Sequence, residues 1–166
     1  MDIRRWVPAY VALGSNLDVP RMQVERALAA LAELPETRFV LRSSLYRSRP
    51  LGPVAQPDFV NAVTGLLTRL DPEALLSRLK ALETELGRDR PVVRWGPRRI
   101  DLDLLVHGGA CIAATNLQLP HPGIAERAFV LVPLAEFAPD LVVPGVGRVR
   151  DLRARVDSAD LERLVA

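Results

Sequence analysis

Apolar residues along the chain alternate between a period of two and a period near 3.6, and the changes of period divide it into strands and helices. Val7 to Leu13 reads as a strand that runs into the turn signal Gly14-Ser15-Asn16, with Asp18 and Pro20 both suited to begin a helix. Val24, Ala27, Leu28, Leu31 and Leu34 then recur at the helical period until Pro35 stops them. A second strand is expected over Arg38 to Arg47, followed by the turn-rich Ser48-Arg49-Pro50-Leu51-Gly52-Pro53. From Asp58 to Thr68 the pattern predicts a third strand, and its period puts Phe59, Asn61, Val63 and Leu67 on one face. The next helix has the clearest limits. Asp71 is its N-cap and Pro72 its first residue, Leu75, Leu76, Leu79, Leu82 and Leu86 form its stripe, and Gly87 ends it.

A fourth strand follows from Arg99 to Val106, and Gly108-Gly109 with Cys111 to Ala114 suggests a hairpin. Ile124 to Phe137 reads as a helix that ends at Pro139, and Asp157 to Val165 as a short amphipathic helix. The order β-α-β-β-α-β favours an α+β, ferredoxin-like sandwich with a mainly antiparallel sheet, helices on one face and the other face free for a ligand. Residues 1–166 are read as a single domain, since there is no repeat or linker and 49% hydrophobic residues suffice for one core. No run approaches the ~18 apolar residues of a membrane helix, so a soluble, cytoplasmic protein without a membrane partner is expected. The single Cys111 excludes an internal disulfide and a cysteine-based metal site.

Of 22 basic residues only Lys80 is lysine, and five arginines fall between positions 88 and 99. That cluster precedes Arg99-Ile100-Asp101-Leu102-Asp103-Leu104, where Asp101 and Asp103 share a strand face about 6.6 Å apart. Alone, the two acids fit a solvated strand better than a metal site. Beside a basic loop they suit a triphosphate, with a hard cation such as Mg²⁺ on the carboxylates and guanidinium groups on the remaining phosphate charge. No G-x-x-x-x-G-K-[ST] sequence occurs, so nucleotide chemistry here would rest on arginine. Phe59 and Asn61 offer a stacking plane beside an amide, a fit for a flat, amide-bearing heterocycle, or else ordinary core packing. His121, between Pro120 and Pro122, could contact phosphate, whereas His107 beside Gly108 and the segment Gly14-Ser15-Asn16 read as turn chemistry.

Taken together these segments closely resemble the 6-hydroxymethyl-7,8-dihydropterin pyrophosphokinase family. The resemblance runs from Val11-Ala12-Leu13-Gly14-Ser15-Asn16-Leu17 through Pro50-Leu51-Gly52-Pro53, Gln56-Pro57-Asp58-Phe59-Val60-Asn61-Ala62, Arg94-Trp95-Gly96-Pro97-Arg98 and Asp101-Leu102-Asp103. It continues through Pro120-His121 and Arg127-Ala128-Phe129 to Pro133-Leu134. It implies an enzyme that moves pyrophosphate from ATP to the pterin hydroxymethyl group and releases AMP, with two Mg²⁺ ions on Asp101 and Asp103. By the same resemblance Phe59 and Phe129 sandwich the pterin and Asn61 reads its amide edge, while Pro50, Leu51 and Trp95 complete that pocket. Glu83, Arg90, Trp95, Arg98, Leu104, His121 and Arg127 fall at nucleotide-site positions. Arg88 and Arg98 match catalytic arginines of a mobile loop expected to close over ATP.

Three residues depart from the family pattern. Phe59 replaces a tyrosine common in the pterin pocket, Lys80 stands where some members carry glutamine, and Asn116 where some carry arginine. Two other functions compete. A ferredoxin-like nucleic-acid-binding module would use the arginines and Trp95 but would set Asp101 and Asp103 against a phosphate backbone. A metal-dependent phosphate-ester hydrolase would use the same carboxylates without an acceptor. The expected partners are small-molecule substrates rather than nucleic acid, and a monomer is the expected state.

Overall fold

A computed structural model of the chain describes residues 4–87 and 96–166. Its sheet is built on β1 (Val7–Ser15), which lies between β4 (Phe59–Thr68) and β5 (Asp101–His107), with antiparallel pairing on both sides. The outer neighbours of β4 are β2 (Thr37–Arg42) and β3 (Tyr46–Ser48), so the order across the sheet is β5, β1, β4, then β2 and β3. This is the arrangement that the β-α-β-β-α-β reading requires. The single strand expected from Arg38 to Arg47 is two, because at Ser43 a side chain enters the ladder. Ser43 N donates to the Val63 carbonyl at 2.9 Å, while the Ser43 hydroxyl accepts from Val63 N at 2.9 Å. The chain bends there and resumes pairing further along β4.

Helix α1 (Pro20–Leu31) opens on Pro20 as expected, but Asp18 does not cap it. Val19 is the N-cap residue, its apolar side chain makes no capping bond, and the Asp18 carboxylate is engaged by Arg99 instead. Helix α2 (Pro72–Glu85) keeps the expected limits, with Asp71 Oδ1 accepting from Ala74 N at 2.8 Å and Gly87 at φ +95° ending the run.

Local patterning fails further on. Residues 112–113 (β6, Ile112–Ala113) pair with β7 (Gln118–Leu119) rather than folding back on β5. The helix expected from Ile124 begins at Ala128 as α3 (Ala128–Phe137), since residues 121–126 are held in turns by Ile124 N to His121 O and Glu126 N to Gly123 O. After the small pair β8 (Val142–Val143) and β9 (Gly147–Arg148), the last helix is α4 (Val149–Arg155). The segment Asp157 to Val165 is not a helix. It carries β10 (Glu162–Arg163), which pairs with β3, and Leu164 N donates to Leu45 O at 2.8 Å. An open strand edge presents unpaired backbone groups, and pairing there satisfies them better than one isolated helical turn would.

The helices occupy both faces of the sheet, not one. Ala9, Val11 and Leu13 of β1 pack with Val24, Ala27 and Leu28 of α1 and Leu75 and Leu79 of α2. The alternate residues Tyr10 and Ala12 belong to a second cluster with Val130, Leu131 and Leu134 of α3 and Leu152 of α4. An apolar face must be covered, and Tyr10, Val63 and Val106 make one end of this second face apolar enough to hold α3 and α4. The other end is left open. His107, read from sequence as part of a turn, is instead buried, with Nε2 2.9 Å from the Leu70 carbonyl. Among the described residues no helix is long and apolar enough to cross a membrane.

Candidate functional site

Along the second face of β1 the side chains shrink in steps. Tyr10 stacks on Phe137 at a centroid distance of 6.2 Å, Ala12 follows, and Gly14 has no side chain. The space so left is the floor of a cavity of about 340 Å³. Its walls bring together Phe59 and Asn61 from β4, Asp101 and Asp103 from β5, Leu51 and Gln56 from the β3–β4 connection, Arg98, and Arg127 with Phe129 from the start of α3. Period-two alternation places the odd positions of β4 and β5 on this face, which is why Phe59 and Asn61 meet Asp101 and Asp103 across β1. Phe59 is half-buried in the cavity wall rather than sealed in the core.

A second cavity, of about 290 Å³, lies on the far side of Asp103. Lys80 and Glu83 of α2, Leu104 of β5, the turn residues Thr115 and Asn116, and His121 line it, and Asp103 lines both cavities. The expected nucleotide residues Glu83, Leu104 and His121 thus assemble, together with the two departures Lys80 and Asn116. Arg98 and Arg127 do not join them; both face the first cavity. Pro50 is absent from the lining of the first cavity and borders an adjacent cleft with Arg49, Leu51 and Phe129. Arg88, Arg90 and Trp95, and with them the expected loop closure, lie outside the described residues.

The polar groups are held in definite orientations. Asn61 is buried, and its Nδ2 donates to Ser48 Oγ at 2.6 Å, which turns Oδ1 toward Gly14 and the cavity floor. A Cβ on Gly14 would lie 3.2 Å from that Oδ1 and 3.7 Å from Phe59 Cδ1, so glycine keeps room for both side chains. Arg98 Nε lies 3.6 Å from Asp101 Oδ1, which sets a guanidinium against the first carboxylate. The Arg127 guanidinium sits 5.8 Å from the centre of the Phe129 ring. His121 Nδ1 accepts from Gly123 N at 3.0 Å. Burial, and then the nearby charge of Arg127, push its pKa down to about 4. The ring is therefore neutral at pH 7, and with Nδ1 accepting, the proton is on Nε2 as a donor.

Sequence reading missed the fastener of this site. Asn16, taken as part of a turn, is buried and joins three segments. Its Nδ2 donates to Gln56 Oε1 and to Pro57 O, both at 2.9 Å, while its Oδ1 accepts from Arg98 N at 2.8 Å and its own N donates to Arg98 O at 2.9 Å. A polar residue directly after a strand that ends in Gly-Ser was the only available signal. The roles of Gln56 and Ser48 had none.

The donor set also bears on a metal ion. Asp101 and Asp103 supply two hard carboxylate groups at the junction of the cavities, and the described residues contain no cluster of three or more His, Cys, Asp or Glu. A half-shell of carboxylates that leaves the remaining positions to water and phosphate fits Mg²⁺.

Comparison with known proteins gives a consistent result. Residues 10–139 match the model of the 7,8-dihydro-6-hydroxymethylpterin-pyrophosphokinase (HPPK) family. The chain is 50% identical over 155 residues to the 2-amino-4-hydroxy-6-hydroxymethyldihydropteridine pyrophosphokinase of Pseudomonas aeruginosa, covering 93% of this chain and 95% of that one. It is 47% identical over 146 residues to the protein of the same name from Haemophilus influenzae, covering 88% and 91%. Among solved structures, Plasmodium falciparum HPPK-DHPS superposes with a TM-score of 0.74 at 14% identity, a likeness of fold. That match covers 93% of this chain and 44% of the longer Plasmodium chain.

Proposed function

The chain belongs to the 7,8-dihydro-6-hydroxymethylpterin-pyrophosphokinase family and transfers pyrophosphate from ATP to hydroxymethyldihydropterin in folate synthesis, and from that premise we propose that its first cavity takes the pterin and its second the nucleotide. The observation that carries this division is the place of Asp103, on the wall common to both. Phosphates lying between a pterin and an adenosine would have to pass this carboxylate and its neighbour Asp101.

In this reading Phe59 and Phe129 flank the pterin ring, and Asn61 Oδ1, freed by the bond from Nδ2 to Ser48, accepts from the ring's N–H groups. Leu51 closes the wall beside them, and Pro50 supports it from the adjacent cleft. Glu83, Leu104 and the Nε2–H of His121 face the nucleotide. Arg98 and Arg127 meet phosphate charge from the pterin side, and Arg88, Arg90 and Trp95 keep the roles that the resemblance implies. Asp101 and Asp103 would hold Mg²⁺, two ions by the same resemblance, and the bound metal would neutralise phosphate charge during transfer. Release of AMP requires the pterin hydroxyl oxygen to attack the β-phosphorus as the bond to the α–β bridging oxygen breaks. Residues 1–166 then serve as one catalytic domain, working as a monomer in the cytoplasm on small-molecule substrates. Neither the nucleic-acid module nor the hydrolase is supported.

Incubation with ATP, Mg²⁺ and 6-hydroxymethyl-7,8-dihydropterin tests the reading. The expected products are AMP and the pterin diphosphate, with turnover abolished by a chelator and restored by Mg²⁺. ADP as the sole nucleotide product, or full turnover in the chelator, would overturn it.

A further inference from the structure

Arg99 lines neither cavity, yet its guanidinium ties together three segments far apart in sequence. Nε and Nη2 donate to Asp18 Oδ2 at 2.9 and 2.6 Å, and Nη1 donates to the Gly87 carbonyl at 3.0 Å. Gly87 closes the turn that ends α2, and Arg99 directly follows Arg98. The side chain of Arg99 lies so close over Gly87 that a Cβ there would come within 2.3 Å of Nη1. Gly87 also has φ +95°, so the turn requires glycine, and any other residue there would push the Arg99 guanidinium aside.

The other end of the tie is held as firmly. Asp18 and Val19 are consecutive non-glycine residues at φ 52° and 60°, a costly conformation that persists only where its surroundings impose it. Here Gln23 Nε2 donates to Asp18 O at 2.9 Å while Arg99 holds the carboxylate. Arg98 and Arg99, adjacent in sequence, are thus used differently. Arg98 faces the first cavity beside Asp101, with its backbone bonded to Asn16, and Arg99 reaches back to Gly87 and Asp18.

We propose that Arg99 is a positioning residue for the transfer reaction: by clasping Gly87 and Asp18 it fixes the backbone beside Arg98 and so aims Arg98 at the reacting phosphates. The proposal rests on the placement of Arg98 against phosphate given above. An exposed ion pair contributes little to stability, so removing the clasp should leave the fold intact. Misplacing a group that must meet the transition state, however, costs rate rather than ground-state binding.

The test measures kcat and both KM values, alongside thermal unfolding, for the wild type and four variants. Arg99→Ala should lower kcat by roughly 10- to 100-fold, with KM for ATP and pterin and the Tm little changed. Arg99→Lys should recover only part of the loss, because a single ammonium lacks the planar fork that reaches Asp18 and Gly87 together. The reversed pair Asp18→Arg with Arg99→Asp restores opposite charges but gives Gly87 O no donor from position 99, and its kcat should stay low. Wild-type kcat in Arg99→Ala, a loss that merely follows the unfolded fraction, or full recovery in the reversed pair would each overturn the proposal. The fourth variant, Arg98→Ala, separates the two levels. If it turns over normally, the placement of Arg98 fails and the clasp with it; if it is impaired while Arg99→Ala is normal, the clasp alone fails.

Discussion

Asn16 and Arg98 stand 82 residues apart and are joined by two bonds that flank the Arg98 backbone, Arg98 N donating to Asn16 Oδ1 at 2.8 Å and Asn16 N to Arg98 O at 2.9 Å. The end of β1 and the approach to β5 are joined there, and the Nδ2 bonds to Gln56 and Pro57 bring in the connection before β4. Asn16→Ala leaves the Arg98 N–H without its side-chain partner in a mostly buried place. Chemical denaturation should show a loss of about 1–3 kcal/mol. Activity should fall further than the unfolded fraction explains, because Arg98 and the wall around Gln56 lose a common support.

Asp101→Asn and Asp103→Asn should each reduce turnover by several orders of magnitude while circular dichroism and Tm show a folded protein, since removing one of two like charges relieves repulsion in the apo state. The pair can be told apart by binding. Calorimetry with Mg²⁺ and a non-hydrolysable ATP analogue, then with pterin, should show Asp103→Asn impaired toward both ligands. Full activity in either variant would refute a role through metal.

Removing the ring in Phe59→Ala should weaken pterin binding by about 1–3 kcal/mol, the scale of base stacking on aromatic side chains, with ATP affinity little altered. Gly14→Ala provides an independent check from the opposite direction. The added methyl would press on Asn61 Oδ1 at 3.2 Å and on Phe59, so the pterin dissociation constant should rise while ATP binding is spared. Equal losses for both ligands would mean a general distortion instead.

His121 should titrate far below an ordinary histidine, and the sign of its effect on stability follows. The unfolded chain takes up the proton near pH 6.5 and the folded chain near pH 4, so between these values the unfolded state binds more protons. The stabilisation from the neutral ring is present above about pH 6.5, declines as pH falls, and is gone below about pH 4. An NMR titration should find the His121 midpoint well under 6.5, and His121→Ala should flatten the acid limb of the stability profile. A midpoint near 6.5 would contradict the buried, accepting Nδ1.

Features that depend on a few neighbouring residues were legible in the sequence. The limits of α2 came from Asp71, Pro72 and Gly87 acting locally, and alternation alone put Phe59 with Asn61, and Asp101 with Asp103, on one face of their own strands; the register against β1 makes those faces the same. What escaped was decided at long range. Asn16 looked like a turn because the partner that buries it lies beyond two helices and three strands. The tail from Asp157 looked helical because its real partner, the open edge of β3, exists only once the sheet has formed. The α3 and α4 layer could not be placed from the apolar run alone, as an apolar helix fits either face until the sheet's own side chains select one. Phe129 and Glu83 entered only through the family resemblance, since a phenylalanine in an apolar run and a glutamate on a helix carry no mark of a cavity.

The wall that Asp103 forms between the two cavities has a thermodynamic corollary. One carboxylate faces both spaces, so whatever neutralises or displaces it from one side alters what the other side meets. With pterin and nucleotide in the two cavities as proposed, their binding is a single linked equilibrium, and any factor by which the first ligand sharpens affinity for the second must be returned in full when the order is reversed. A dissociation constant for either substrate is thus defined only with the occupancy of its neighbour stated. The closed cycle of four binding constants gives the total coupling between the cavities, and its change in Asp103→Asn the share that passes through that side chain.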